Sequence, residues 1–199
     1  MSMREGRPAG VVPETAGTAG VSRHRPAVLH RWPSALGLAI AAVQLATDAD
    51  REDVAVVLCG ATLCYLGAAA LSRPWIAWAG IVVSVAVVDL SDLVDVVWWA
   101  SLGVIALVLL AVGLLSRVPR PTLTAQTAAL IGYGGLAVAA LYVAPRAGLG
   151  LAGAALCGHA VWDAIHYRRN QVVPRSLAEF CMLLDVPLGV GAIVLAIVD

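Results

Sequence analysis

From residue 33 onward the chain alternates long apolar runs with short breaks rich in Pro, Arg, Asp and Gly. About 20 apolar residues carry a helix across a bilayer core of roughly 30 Å. The runs therefore predict about seven crossings, at 33–47, 54–72, 75–92, 96–116, 122–144, 148–167 and 176–198. The first is short for a full span and is expected to end near the interface. The stretch 74–116 is too long for one crossing, and its only polar interruption, at 90–95, predicts a tight turn there. The fold class is thus all-α, a polytopic transmembrane helix bundle occupying residues 32–199. Residues 1–31 mix Arg, Pro, Gly, Ala and Thr without the apolar core of a secretory signal, and read as a disordered cytoplasmic arm.

Composition agrees with a bilayer as the solvent. At 60% hydrophobic and 13% charged residues, the 199-residue chain carries more apolar surface than one soluble domain could bury. The formal net charge of zero leaves no field to attract nucleic acid. There is no lysine, which excludes a Schiff-base or P-loop lysine. With the N-terminus in the cytoplasm, only Arg51 and Arg146 fall outside, and the other arginines fall on the cytoplasmic side of a plasma-membrane protein, as insertion favours. The C-terminus then lies outside.

Small residues at Gly132, Gly134, Gly135, Gly150, Gly153, Ala154 and Gly158 predict close packing of the fifth and sixth helices, because packing replaces the hydrophobic effect in lipid. Cys59, Cys64, Cys157 and Cys181 form no C-x-x-C pair and read as packing residues. Residues 148–153 spell G-x-G-x-x-G, but they open a membrane span and follow no strand, so the dinucleotide reading fails. Ser176 and Glu179 fit a capping box at the start of the last helix.

The chemically informative stretch is His159, Trp162, Asp163 and His166, an H-x-x-W-D-x-x-H pattern in the cytoplasmic half of the sixth helix. At about 100° per residue, His159, Asp163 and His166 share a stripe roughly 60° wide. Such groups are costly against lipid, so the stripe is expected to face the bundle interior. Counting about 1.5 Å per residue puts His159 roughly 13 Å below the interface and Asp185, on the antiparallel seventh helix, about 15 Å deep. The two are therefore expected to face each other. Pro187 cannot bond the carbonyl of Leu183, which is expected to line the same pocket. Asp89 is a further candidate to close it, whereas Asp92 and Asp95 read as turn residues.

The segment resembles small multi-pass bacterial membrane proteins of no assigned activity, in which this pattern is followed by a basic loop with Val-Pro, then Phe-Cys and Asp. Those elements here are Val173, Pro174, Phe180, Cys181 and Asp185, and the resemblance covers residues 158–189.

One reading makes His159, Asp163, His166 and Asp185 ligands of a divalent metal, Zn or Fe, with an open position for chemistry. Asp185 and Asp163 are then the catalytic carboxylates, and a lipid or isoprenoid from the bilayer is the substrate. In concept this is similar to seven-helix intramembrane hydrolases related to adiponectin receptors and alkaline ceramidases, whose H-x-x-x-H signature is absent here. A metal-free variant uses Asp163 or Asp185 as an acid toward an isoprenoid, with Trp162 offering its π-face to a carbocation. A second reading uses the same groups as a relay for proton or metal-ion transport. A third makes them hydrogen-bonding pairs of a structural or interaction protein that only fix helix packing.

Overall fold

The computed structural model describes residues 31–198 and arranges them as helices joined by short turns, with no strand among the described residues. The helices are α1 (Trp32–Ala46), α2 (Arg51–Ala70), α3 (Ile76–Leu93), α4 (Trp98–Leu115), α5 (Arg120–Ala140), α6 (Pro145–Arg169) and α7 (Arg175–Val198). Those from α2 to α7 are long and apolar enough to cross a membrane, and α1 is shorter, at 15 residues. The expected turn near 90–95 falls at 94–97, where Asp95 takes a left-handed backbone. Apart from Arg31, the proposed cytoplasmic arm lies outside the described residues, as does Asp199.

Local chemistry accounts for the helix ends. Pro33, Pro121 and Pro145 occupy first-turn positions of α1, α5 and α6, where a missing N–H costs nothing. Asp50 caps α2 by accepting from the backbone N–H groups of Glu52 and Asp53, while Asp53 accepts from that of Asp50, a reciprocal capping box. Asn170 ends α6 in the left-handed conformation that Asn tolerates well. The capping box expected at Ser176 does not form, because α7 already begins at Arg175. Ser176 instead accepts from the Trp78 indole at 3.2 Å, and Glu179 accepts from Ser34 and pairs with Arg31 at 3.5 Å.

The centre of the bundle is α2. Most of its residues are buried, and it packs against α3, α4, α5, α6 and α7. The most extensive contact joins α6 to α7, so the small residues of α6 serve α7 more than α5. A Cβ on Gly153 would stand 2.7 Å from the carbonyl oxygen of Gly189, and one on Gly189 would stand 2.8 Å from that of Gly153. Glycine at both positions lets the two backbones touch there. By contrast, a Cβ at Gly132 or Gly135 would meet nothing within 4 Å. Close α6–α7 packing fixes the relative height of His159 and Asp185, which lie six and four residues from Gly153 and Gly189 on the same side of that contact.

Candidate metal centre

Three side chains meet between α6 and α7 against α2: His159, Asp163 and Asp185, each 0% exposed. The imidazole Nδ1 of His159 lies 2.8 Å from Asp185 Oδ2 and 3.3 Å from Asp163 Oδ2. On the far side of Asp163, the hydroxyl of Tyr65 donates to Oδ1 at 2.6 Å. Helical spacing explains the first pair, since residues four apart on α6 stack on one face. Antiparallel packing at Gly153 and Gly189 brings in the third.

The aromatic side chains wall the centre. Tyr65 meets the His159 ring edge-on at 5.7 Å between centroids, and Tyr133 does so at 5.4 Å and 90°. Tyr133 belongs to the π-helical segment Leu130–Gly134 of α5, and its hydroxyl donates to the Gly158 carbonyl at 3.1 Å. A single wide turn of this kind shifts the side chains around it, a feature common at functional sites.

Both carboxylates face one imidazole, and no described arginine pairs with either of them. With both carboxylates ionised, even an imidazolium therefore leaves one negative charge uncompensated among fully buried groups, an expensive arrangement. His159 Nε2, Asp163 Oδ2 and Asp185 Oδ1 also lack hydrogen-bond partners, although all three are buried. Native interiors rarely leave such atoms unpaired without a reason. The two spacings at His159 Nδ1, 2.8 and 3.3 Å, fall within the separations of about 2.8–3.6 Å expected for ligand atoms about 2.0–2.2 Å from a metal at angles between 90° and tetrahedral. The three residues could hold a metal ion, with their ligand atoms within 4.8 Å of one another.

His166 stands apart from this group. Its Nδ1 donates to the Trp162 carbonyl at 2.9 Å, and its Nε2 faces the Gln126 amide nitrogen at 3.1 Å. The Gln126 oxygen in turn accepts from the Trp162 indole at 3.2 Å. The ring is held as a neutral imidazole, accepting from Gln126, with both nitrogens engaged. The stripe on α6 is buried along its whole length, as periodicity required, but only its inner two members join Asp185.

Other sequence candidates lie elsewhere. Asp89 is exposed and lines no cavity near the trio. Leu183 and Pro187 face away from the centre, into an outer groove of about 530 Å³ between α6 and α7 that ends at Arg168. Tyr65, Gln126, Tyr133 and Ser84 escaped sequence reasoning. Tyr65 did carry a signal, since it is a polar-tipped residue inside an apolar run, whereas Gln126 sits among Thr122, Thr124 and Thr127 and carried none.

Fold and site together define a class: a polytopic α-helical membrane protein with a buried His/Asp cluster able to hold a metal ion. Set against protein families, curated proteins and solved structures, the chain matches none of them.

Proposed function

We propose that the protein is a metal-dependent membrane enzyme in which His159, Asp163 and Asp185 hold one divalent ion, Zn²⁺ or Fe²⁺, and that its substrate is a lipid or isoprenoid. The observation that carries this reading is the convergence of three fully buried side chains whose ligand atoms lie within 4.8 Å of one another. One imidazole and two carboxylates balance a divalent charge, and three protein ligands leave a coordination position open. An ion there supplies Lewis-acid or water-activating chemistry. Tyr65 fixes the orientation of Asp163 by donating to it, which is the usual duty of a hydrogen-bonding neighbour to a ligand. Asp185 borders a cavity, which makes it a group positioned to take up a proton from an incoming molecule.

The substrate class follows from the surroundings. The outer groove of α6 and α7 is apolar along its length and has a guanidinium at one end, a shape suited to a chain with an anionic head. It lies on the faces of these helices opposite the trio, so it is a docking place for such a molecule beside the bundle and not the seat of the chemistry.

The test is metal content by mass spectrometry of detergent-purified protein, for wild type, His159→Ala and Asp185→Asn. One ion per chain in wild type and none in either variant is the expected result, and metal-free wild type after incubation with Zn²⁺ and Fe²⁺ overturns the reading. A second reading, proton or metal-ion transport, is favoured by one observation: Tyr65, Asp163, His159 and Asp185 form an unbroken series of polar contacts. Cation flux into proteoliposomes that both substitutions abolish would select it. Variants that lose thermal stability alone would leave a structural role.

A further inference from the structure

A cavity of about 200 Å³ lies between α1, α2, α3 and α7, and Asp185 forms part of its wall. Ser84 of α3 lines the same cavity. It is only 5% exposed, yet its hydroxyl has no partner. That is unusual within this chain. In helices surrounded by lipid, Ser and Thr ordinarily bond back to the preceding turn. Thr62, Ser91 and Thr127 do so, to Leu58, Val87 and Leu123 at 3.1, 2.7 and 2.9 Å. Ser84 leaves its own backbone unused, and its unpaired oxygen and the unpaired Oδ1 of Asp185 belong to residues of one cavity wall.

A second cavity, of about 270 Å³, opens at the end of the bundle where α1 meets α2 and α3 meets α4. Asp50, Glu52, Asp53 and Asp92 surround it, and no basic residue does. The capping box fixes Asp50 and Asp53, and the Trp98 indole donates to Glu52 at 2.7 Å. Their geometry is thus held while their charge stays unneutralised. Gln44 and Val56 line both cavities, so these two side chains are what stands between them. From Val56 to Cys64, the deepest α2 residue of the inner cavity, the helix rises about 12 Å.

We infer that the two cavities connect past Gln44 and Val56 into a water-containing, cation-selective route from the acidic end of the bundle to Asp185, and that the species it delivers is a small hydrated divalent metal ion. The inference rests on reading the trio as a metal centre. Water satisfies the orphaned oxygens of Ser84 and Asp185, whereas an acyl chain in the same space would leave both unpaired. Ionisable groups inside a membrane typically border water-filled cavities. Carboxylates around the mouth of such a space concentrate cations and repel anions. Gln44 at the junction, then Ser84, then Asp185 supply the polar contacts along an otherwise mainly apolar wall.

The experiment is the rate at which metal-stripped, full-length protein takes up Zn²⁺, measured for wild type, Asp92→Asn and Gly60→Leu. Gly60 touches Ser84, its added Cβ lying 3.5 Å from that of Ser84, and it is not part of the trio. The Leu side chain therefore fills the route. At low salt Asp92→Asn is expected to slow loading about 3-fold and Gly60→Leu about 10-fold or more, while the amount bound at equilibrium stays at the wild-type level. Unchanged rates in both variants overturn the route and leave the metal centre standing. A second measurement covers a protein that binds no metal. Ser84→Cys, with the four native cysteines replaced by Ala, is treated with aminoethyl and sulfonatoethyl methanethiosulfonate. Faster modification by the cationic reagent, with the preference reduced by Asp92→Asn, supports the route even where the metal reading has failed. Equal rates, or reaction only with a membrane-permeant uncharged maleimide, overturn it.

Discussion

Tyr65 on α2 donates its phenolic proton to Asp163 on α6 across 2.6 Å, and both side chains are buried. This contact joins the central helix of the bundle to the candidate centre and occupies the carboxylate oxygen that points away from His159. Tyr65→Phe keeps the ring that packs on His159 and His166 and removes only the donor. The freed Oδ1 then has no partner, which should cost about 1–3 kcal/mol of stability. Losing the neighbour that orients a ligand typically weakens metal affinity about 10–100-fold. A competition titration against a chelator reads the second effect, and thermal unfolding in detergent reads the first. Unchanged affinity would reduce Tyr65 to a packing residue.

Much of this was legible in the sequence, and what was not has a definite cause. The helix boundaries followed from Pro, Arg and Asp, and the observed α6 and α7 begin within about three residues of expectation. Axial position is also readable, because a fixed rise per residue gives depth. His159 and Asp185 duly face each other at 2.8 Å. Which helix supplies the third wall depends on the order of helices around the bundle, and a single sequence does not encode that order in any local pattern. Tyr65 on α2 and Tyr133 on the π-helical turn of α5 were hidden for that reason. His166 shared the right face with His159, yet its outcome was decided by Gln126, a residue forty positions earlier.

That separation between the histidines gives a second prediction. His166 closes a ring of hydrogen bonds with Gln126 and Trp162 and adds none of its nitrogens to the trio. His166→Ala should leave metal stoichiometry at the wild-type value, while His159→Ala abolishes it. The cost of the former appears in stability, since the Gln126 amide loses a buried partner. A double-mutant cycle of His166→Ala with Gln126→Ala should show coupling of about 0.5–3 kcal/mol, because the two residues share one network. Loss of metal in His166→Ala would return that ring to the ligand set.

The third prediction concerns the glycines that set the α6–α7 distance. Gly150 and Gly153 lie on the same helix and read alike in the sequence, but their surroundings differ. A Cβ at Gly150 would meet the Ala196 methyl at 3.6 Å, an ordinary contact, whereas at Gly153 it would press on the Gly189 backbone carbonyl at 2.7 Å. Gly150→Ala should therefore be neutral or stabilise by up to about 1 kcal/mol through helix propensity alone. Gly153→Ala forces the helices apart, and rigid backbone has no rotamer with which to yield. Overpacking of this kind costs about 1–3 kcal/mol. It should also lengthen the 2.8 Å contact between His159 and Asp185, which lie within a few residues of the collision. The expected pattern is a lower unfolding temperature together with weakened metal binding in Gly153→Ala, and neither change in Gly150→Ala. Equal behaviour of the two variants would show that the helix spacing is set elsewhere along α7.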